Sequence, residues 1–265
     1  MSNRLREILD HKRAEIARLD LARLKAQAAE APRPRDFLGM ATRRSDATPR
    51  LIAELKRASP SRGVLAAHLD LFQLAQLYAE NGAAAVSVLT DEKFFLGHLD
   101  TLRALRFERN FPLPLLRKDF TLAPAQLYEA RAAGADAILL IVAALDDPPL
   151  RDLHALALDL GLAALVEVHT AEETERALQV PGVQLIGINN RDLTTFAVSL
   201  ETTARLRPLI PAGLTVVSES GIFTGEHVRQ VGALGVDAVL VGEALVTAPD
   251  IAGKARELSG RDAVC

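Results

Sequence analysis

From Arg50 onward the chain repeats one pattern. A short apolar, β-branched run is followed by a helical run, eight times over roughly 210 residues. The apolar runs are Leu51–Lys56, Ala84–Leu89, Pro114–Lys118, Ala137–Val142, Ala163–Val168, Gln184–Ile188, Thr215–Ser218 and Ala238–Val241. The helical runs are Leu69–Glu80, Leu99–Arg106, Ala123–Ala133, Pro148–Leu160, Ala171–Leu178, Leu200–Leu206, Gly225–Leu234 and Ala244–Leu258. Turn formers such as Asn81-Gly82, Leu160-Gly161 and Pro181-Gly182 separate them. Most strands are continuously apolar, as expected where both faces are buried. Eight such units predict an α/β fold, the (β/α)8 or TIM barrel, whose usual size is about 250 residues. The competing open, doubly wound sheet calls for a Gly-rich loop such as G-x-G-x-x-G after an early strand. None follows Leu51–Lys56.

Residues 1–48 read as an amphipathic helix, with Leu5, Ile8, Leu9, Ile16, Leu19 and Leu24 near helical spacing. Ala31-Pro32-Arg33-Pro34-Arg35 stops it, and Phe37–Ala41 reads as a short helix or turn. An apolar stripe needs a partner surface. The expected organisation is therefore one domain, 1–265, with 1–48 as a helical extension packed on the barrel.

A net charge of −3 gives no general drive toward nucleic acid or acidic membranes. The one cysteine, Cys265, allows neither a disulfide framework nor a cysteine-based metal site. No apolar run has membrane-spanning length. Met1–Asp20 carries acidic residues and lacks the apolar segment of a secretory signal. A cytoplasmic protein is expected. His68, His98, His154 and His227 are scattered and are expected at solvated surfaces. His169 is an acid–base candidate without a second histidine at metal spacing, so no metal is predicted.

A TIM barrel builds its active site at the carboxyl ends of its strands. Those ends carry Glu54 and Lys56, then Thr90-Asp91-Glu92-Lys93-Phe94-Phe95, Lys118-Asp119-Phe120, Glu167 and His169, Asn189-Asn190-Arg191-Asp192, Glu219-Ser220-Gly221 and Gly242-Glu243. In the first strand, period 2 puts Ile52, Glu54 and Lys56 on one face and Leu51, Ala53 and Leu55 on the other. Taken alone, Glu54 and Lys56 read equally well as a structural ion pair at a strand end. Lysine is scarce, six of 31 basic residues: Lys12, Lys25, Lys56, Lys93, Lys118 and Lys254. Arg serves almost everywhere that a surface cation is needed. Burial can tune a lysine into an acid near neutral pH, which is not open to Arg. Lys56 and Lys118 are therefore candidates for chemistry. Ser220-Gly221 and Gly242 put flexible backbone after the last two strands, where such barrels often bind phosphate through N–H groups. Glu243 is unfavourable there unless its side chain points away.

Five motifs carry a resemblance: Ile52-Ala53-Glu54-Leu55-Lys56-Arg57-Ala58-Ser59-Pro60-Ser61, Leu116-Arg117-Lys118-Asp119-Phe120, Val166-Glu167-Val168-His169, Gly187-Ile188-Asn189-Asn190-Arg191-Asp192-Leu193 and Ser218-Glu219-Ser220-Gly221-Ile222. In order and in place, they closely resemble the indole-3-glycerol phosphate synthase family of tryptophan biosynthesis. The resemblance implies a decarboxylating lyase without cofactor. It would convert 1-(2-carboxyphenylamino)-1-deoxyribulose 5-phosphate to indole-3-glycerol phosphate, CO2 and water. It implies Lys118 as the general acid at the ketose oxygen. Glu167 would stabilise positive charge on the ring nitrogen or take up a proton. Lys56 would hold the carboxylate and act as acid in dehydration, with Glu54 as its partner and base. Ser59, Asn189 and Arg191 would orient the substrate, and Glu219 and Ser220 would complete the polar ring. Phe95 and Phe120 would wall the aromatic part. Gly221, Gly242 and Glu243 would offer backbone donors to the phosphate, and Leu193 joins the substrate-binding set. A monomer is also implied, whose partner is this small phosphorylated substrate. Two departures stand out: Leu96-Gly97-His98 where the family has Gly- or Gln-Gly-Ser, and Arg62 for a frequent Lys. A related barrel, phosphoribosylanthranilate isomerase, works with a Cys/Asp pair, and the only cysteine here is terminal. A non-catalytic barrel would show binding without turnover.

Overall fold

A computed structural model describes residues 3–43, 48–59, 63–64, 69–192, 195 and 197–261. The eight barrel strands are β1 (Arg50–Leu55), β2 (Ala83–Leu89), β3 (Leu115–Lys118), β4 (Ala137–Ile141), β5 (Ala163–Val168), β6 (Leu185–Asn189), β7 (Thr215–Glu219) and β8 (Ala238–Val241); Ala58–Ser59 and Gly63–Val64 form a separate short antiparallel pair. All eight pair in parallel, each with the next in sequence, and β1 closes on β8. A TIM barrel results, with every expected strand present and its ends within one residue of those read from the sequence.

The helices are α1 (Asn3–Ile16), α2 (Leu21–Glu30), α3 (Phe37–Ala41), α4 (Leu71–Glu80), α5 (Glu92–Phe95), α6 (Leu99–Arg103), α7 (Pro124–Ala132), α8 (Asp147–Asp159), α9 (Ala171–Leu178), α10 (Glu201–Leu206), α11 (Gly225–Ala233), α12 (Glu243–Val246) and α13 (Ile251–Ser259). Many begin at a side chain that takes up an orphan N–H, such as Asp20, Asp70, Asp91, Thr170, Thr224 and Asp250.

Those caps account for two departures from the sequence reading. The N-terminal stretch is not one helix up to Ala31, because Asp20 starts α2 afresh by accepting the Arg23 N–H at 3.0 Å. The last helix, expected over Ala244–Leu258, is two. Pro249 cannot continue α12, and Asp250 caps α13. A third difference lies after α6, which continues as a π-helical turn over Ala104–Glu108. His154 on α8 is not at the surface. It is buried, and burial lowers its pKa. His98 is exposed and His227 half-buried, while His68 lies outside the described residues.

The core has two layers. Outward side chains such as Leu51, Ala53, Leu55, Val86 and Val88 pack against the helices. Inward ones, Ile52, Ala85, Leu116, Leu139, Leu165, Leu185, Val217 and Leu240, fill the barrel. Phe37 of α3 is buried with them and plugs the amino end. Beside it, Thr42 Oγ1 lies 2.7 Å from Thr215 Oγ1. Burying an aromatic ring of this kind contributes about 3 kcal/mol.

Candidate active site

Period 2 aims the site. The inward position two residues beyond Ile52 is Glu54, beyond Leu116 is Lys118, beyond Leu165 is Glu167, and beyond Val217 is Glu219. The top layer of the barrel interior is therefore charged, above an apolar plug. Lys118 Nζ sits 2.9 Å from Glu167 Oε2 and 2.9 Å from Glu219 Oε2. Lys56, just past β1, reaches Glu54 Oε1 at 3.0 Å. Asn189 turns its Oδ1 to the Arg191 N–H at 3.0 Å. The Phe95 and Phe120 rings stand 6.2 Å apart, tilted by 42°.

A cavity of about 180 Å³ opens among these groups. Glu54, Lys56, Phe95, Lys118, Phe120, Glu167, Asn189, Arg191, Glu219, Ser220, Gly221, Gly242 and Glu243 all line it. Thirteen of the expected site residues thus meet at one mouth. Leu193 and the side chain of Ser59 lie outside the described residues. Ser220 and Gly221 both adopt positive φ, 65° and 77°, so the chain turns sharply as it leaves β7. Glu243 Oε2 points toward Arg191, 3.9 Å from its Nη2.

Electrostatics separate the carboxylates. Burial works against the charge of Glu167, but Lys118 and His169 outweigh it and hold its pKa well below the usual carboxylate range. Burial also acts on Glu219, and with Glu167 and Glu54 beside it the carboxyl is pushed up to about 7 despite Lys118. One carboxylate is a fixed anion, and the other gains and loses a proton near neutral pH. The expectation of a lowered lysine pKa is overturned at Lys118. Burial does oppose its ammonium, but Glu167, Glu219 and Glu54 together raise its pKa. The contacts at the two lysines are with carboxylates: Glu167 and Glu219 at Lys118, Glu54 at Lys56.

The sequence reading missed the share of the N-terminal extension. Arg4, Leu5 and Ile8 of α1 line the cavity. Lys12 is buried and reaches Asp91 at 3.0 Å, Asp119 at 2.9 Å and Glu15 at 2.7 Å. Asp119 also accepts from Thr90 at 2.6 Å. A signal was available, since Lys12 is one of the six lysines. Asn190 was missed as well. It is buried and gives its Nδ2 to Ser218 Oγ and the Glu219 and Ser220 carbonyls, and its Oδ1 accepts from Thr203, which fixes the ends of β6 and β7. The Leu96-Gly97-His98 departure is local. His98 caps α6 by accepting the Asp100 N–H at 3.1 Å.

A closed parallel barrel with an acid, two separated carboxylates and an aromatic wall at the carboxyl ends of its strands defines an acid–base enzyme of the TIM-barrel class. Solved structures agree on the fold. They include 3-hexulose-6-phosphate synthase from Salmonella typhimurium, with a TM-score of 0.60 at 15% identity over 80% of this chain and 97% of that one. Another is thiamine phosphate pyrophosphorylase from Pyrococcus furiosus, with a TM-score of 0.57 at 17% identity over 82% and 98%. The family model for indole-3-glycerol phosphate synthase matches residues 5–258. The indole-3-glycerol phosphate synthase of Roseiflexus castenholzii is 57% identical over 98% of this chain and 100% of its own. That of Desulforamulus reducens is 49% identical over 96% of each. The chain belongs to the indole-3-glycerol phosphate synthase family.

Proposed function

We propose that this chain catalyses the reaction of its family, closing the indole ring from 1-(2-carboxyphenylamino)-1-deoxyribulose 5-phosphate with loss of CO2 and water. The observation that carries the reading is the Lys118 ammonium, 2.9 Å from both Glu167 and Glu219 inside the cavity.

The ring carbon bearing the carboxylate attacks the ketose carbonyl carbon. The π pair moves to oxygen, which takes a proton from Lys118. A developing alkoxide is basic enough to accept it even from an ammonium of raised pKa, and the fixed charge stabilises it meanwhile. Glu167, held anionic, stabilises positive charge on the ring nitrogen. Loss of CO2 returns its bonding pair to the ring. In dehydration Lys56 protonates the departing hydroxyl and Glu54, 3.0 Å away, takes up the proton released. Glu219, near half-protonated at neutral pH, returns a proton to Lys118.

The remaining assignments are substrate binding. Phe95 and Phe120 wall the aromatic ring. Asn189, Arg191 and Ser59 orient the anthranilate carboxylate or the hydroxyls, Leu193 belongs to the substrate-binding set, and Ser220 completes the polar ring. The backbone N–H groups of Gly221, Gly242 and Glu243 take the phosphate. The Glu243 carboxylate turned toward Arg191 supports this, because it removes the like charge from the phosphate site. One domain suffices, with 1–48 as the extension on the barrel; the Lys12 contacts to Asp91 and Asp119 support that. A monomer suffices too, because one chain supplies the whole mouth. The cytoplasm is the proposed compartment. Among the described residues no helix is long and apolar enough to cross a membrane.

The test is an end-point assay with that substrate in EDTA, following indole fluorescence and CO2 together. Equal amounts of both products are expected. Tight binding with neither product would overturn the catalytic reading, and no binding would overturn the substrate.

A further inference from the structure

His169 follows β5 directly, two residues past Glu167. Its side chain is buried and does not line the cavity. The mechanism gives it no task, yet it is held from two sides. Its Nδ1 lies 3.0 Å from Glu173 Oε2, and the same oxygen accepts the His169 backbone N–H at 2.7 Å. Its Nε2 lies 3.3 Å from Glu167 Oε1. The other Glu167 oxygen holds Lys118. Glu173 is itself fixed in the first turn of α9, where its N–H is donated to Thr170 Oγ1 at 3.1 Å. The chain of contacts runs from α9 through the imidazole into the catalytic carboxylate and on to the acid.

Burial disfavours a charged imidazole, but the Glu167 carboxylate beside Nε2 and the hydrogen-bonded Glu173 overrule it and push its pKa up to about 10. The ring is a cation across the physiological range. The groups that face it are Glu167 from β5 and Glu173 from α9. Lys118 from β3 and Glu219 from β7 lie one contact further.

We propose that His169 is a positioning residue for ring closure: clamped by Glu173, it pins Oε1 of Glu167 so that Oε2 stays on Lys118, and it leaves Glu219 as the carboxylate that exchanges the proton. This rests on the functional reading above. A merely structural clamp between β5 and α9 would change stability alone, so the deciding readouts are kinetic.

The experiment measures single-turnover rate, KM and pH profile for the wild type and for H169F, H169Q and E173Q. H169F removes donor and charge. Its rate is expected to fall about tenfold or more with KM within roughly threefold of wild type. Its acid limb is expected to move up by about half a pH unit or more, because Glu167 loses a neighbouring cation and, sharing Lys118 with Glu219, the pair holds a proton more tightly. H169Q keeps a donor without the charge, so it recovers most of the rate and retains the shifted limb. E173Q, outside the cavity, moves rate and limb in the same direction by less. An H169F enzyme within about twofold of wild type with an unmoved acid limb overturns the proposal. If H169F does not fold, H169Q and E173Q decide: unmoved limbs in both overturn it. A wild type without turnover would overturn the functional reading and this one with it. An active wild type with indifferent variants overturns this one alone.

Discussion

Gly187 on β6 pairs with Val217, two residues before Glu219 on β7, and a Cβ at 187 would stand 2.3 Å from Glu219 Oε1. The carboxylate occupies the space that a side chain on β6 would fill. Gly187→Ala therefore pushes aside the end of a side chain without forcing the backbone. The expected result is a loss of activity without a matching loss of stability. Turnover should fall roughly tenfold or more, with thermal unfolding within a few degrees of wild type. Parallel kinetics and calorimetry check this.

Lys12 ties α1 to the mouth. Lys12→Met leaves Asp91 and Asp119 buried with one cation fewer, and breaking such a network costs about 3 kcal/mol. Because Leu5 and Ile8 of the same helix line the cavity, KM should rise as well. Urea unfolding and steady-state kinetics give both numbers.

His169 predicts a dependence of stability on alkaline pH. Its folded pKa, about 10, lies above the unfolded value of 6.5. The folded state then binds more protons than the unfolded one between those values, so stability falls as pH rises through that window. The contribution is whole below about 6.5 and gone above about 10. Melting temperatures of wild type and His169→Gln should differ most at or below about pH 6.5 and converge toward about pH 10.

The loop after β2 separates a required residue from a replaceable one. A Cβ at Gly97 would lie 2.2 Å from the Leu89 carbonyl oxygen, which is backbone and cannot rotate away. Gly97→Ala should cost about 2 kcal/mol or more. His98→Ser exchanges one helix cap for another and should leave turnover within about twofold.

Much of this was legible in the sequence because the barrel imposes simple periodicities. Strands buried on both faces read as unbroken apolar runs, and the inward register that places Ile52 in the barrel also places Glu54 at its mouth. Helix ends set by a single cap, at Asp20 and Asp250, were harder to see. Neither interrupts the apolar spacing that marked the helices. The site's charges were legible as residues but not as fields. That Lys118 holds its proton more tightly than a free lysine depends on Glu54, Glu167 and Glu219, brought together from three other strands. Lys12 stayed hidden for the same reason: its partners Asp91 and Asp119 follow two strands remote in sequence.

The central claim is that Lys118 is the acid that closes the ring. The most direct measurement is single-turnover product formation by Lys118→Ala, with substrate binding measured alongside. The predicted result is retained binding with a rate lowered about a thousandfold or more, the scale of losing both a proton donor and a fixed positive charge. A variant that turns over at a rate near the wild type would contradict the account.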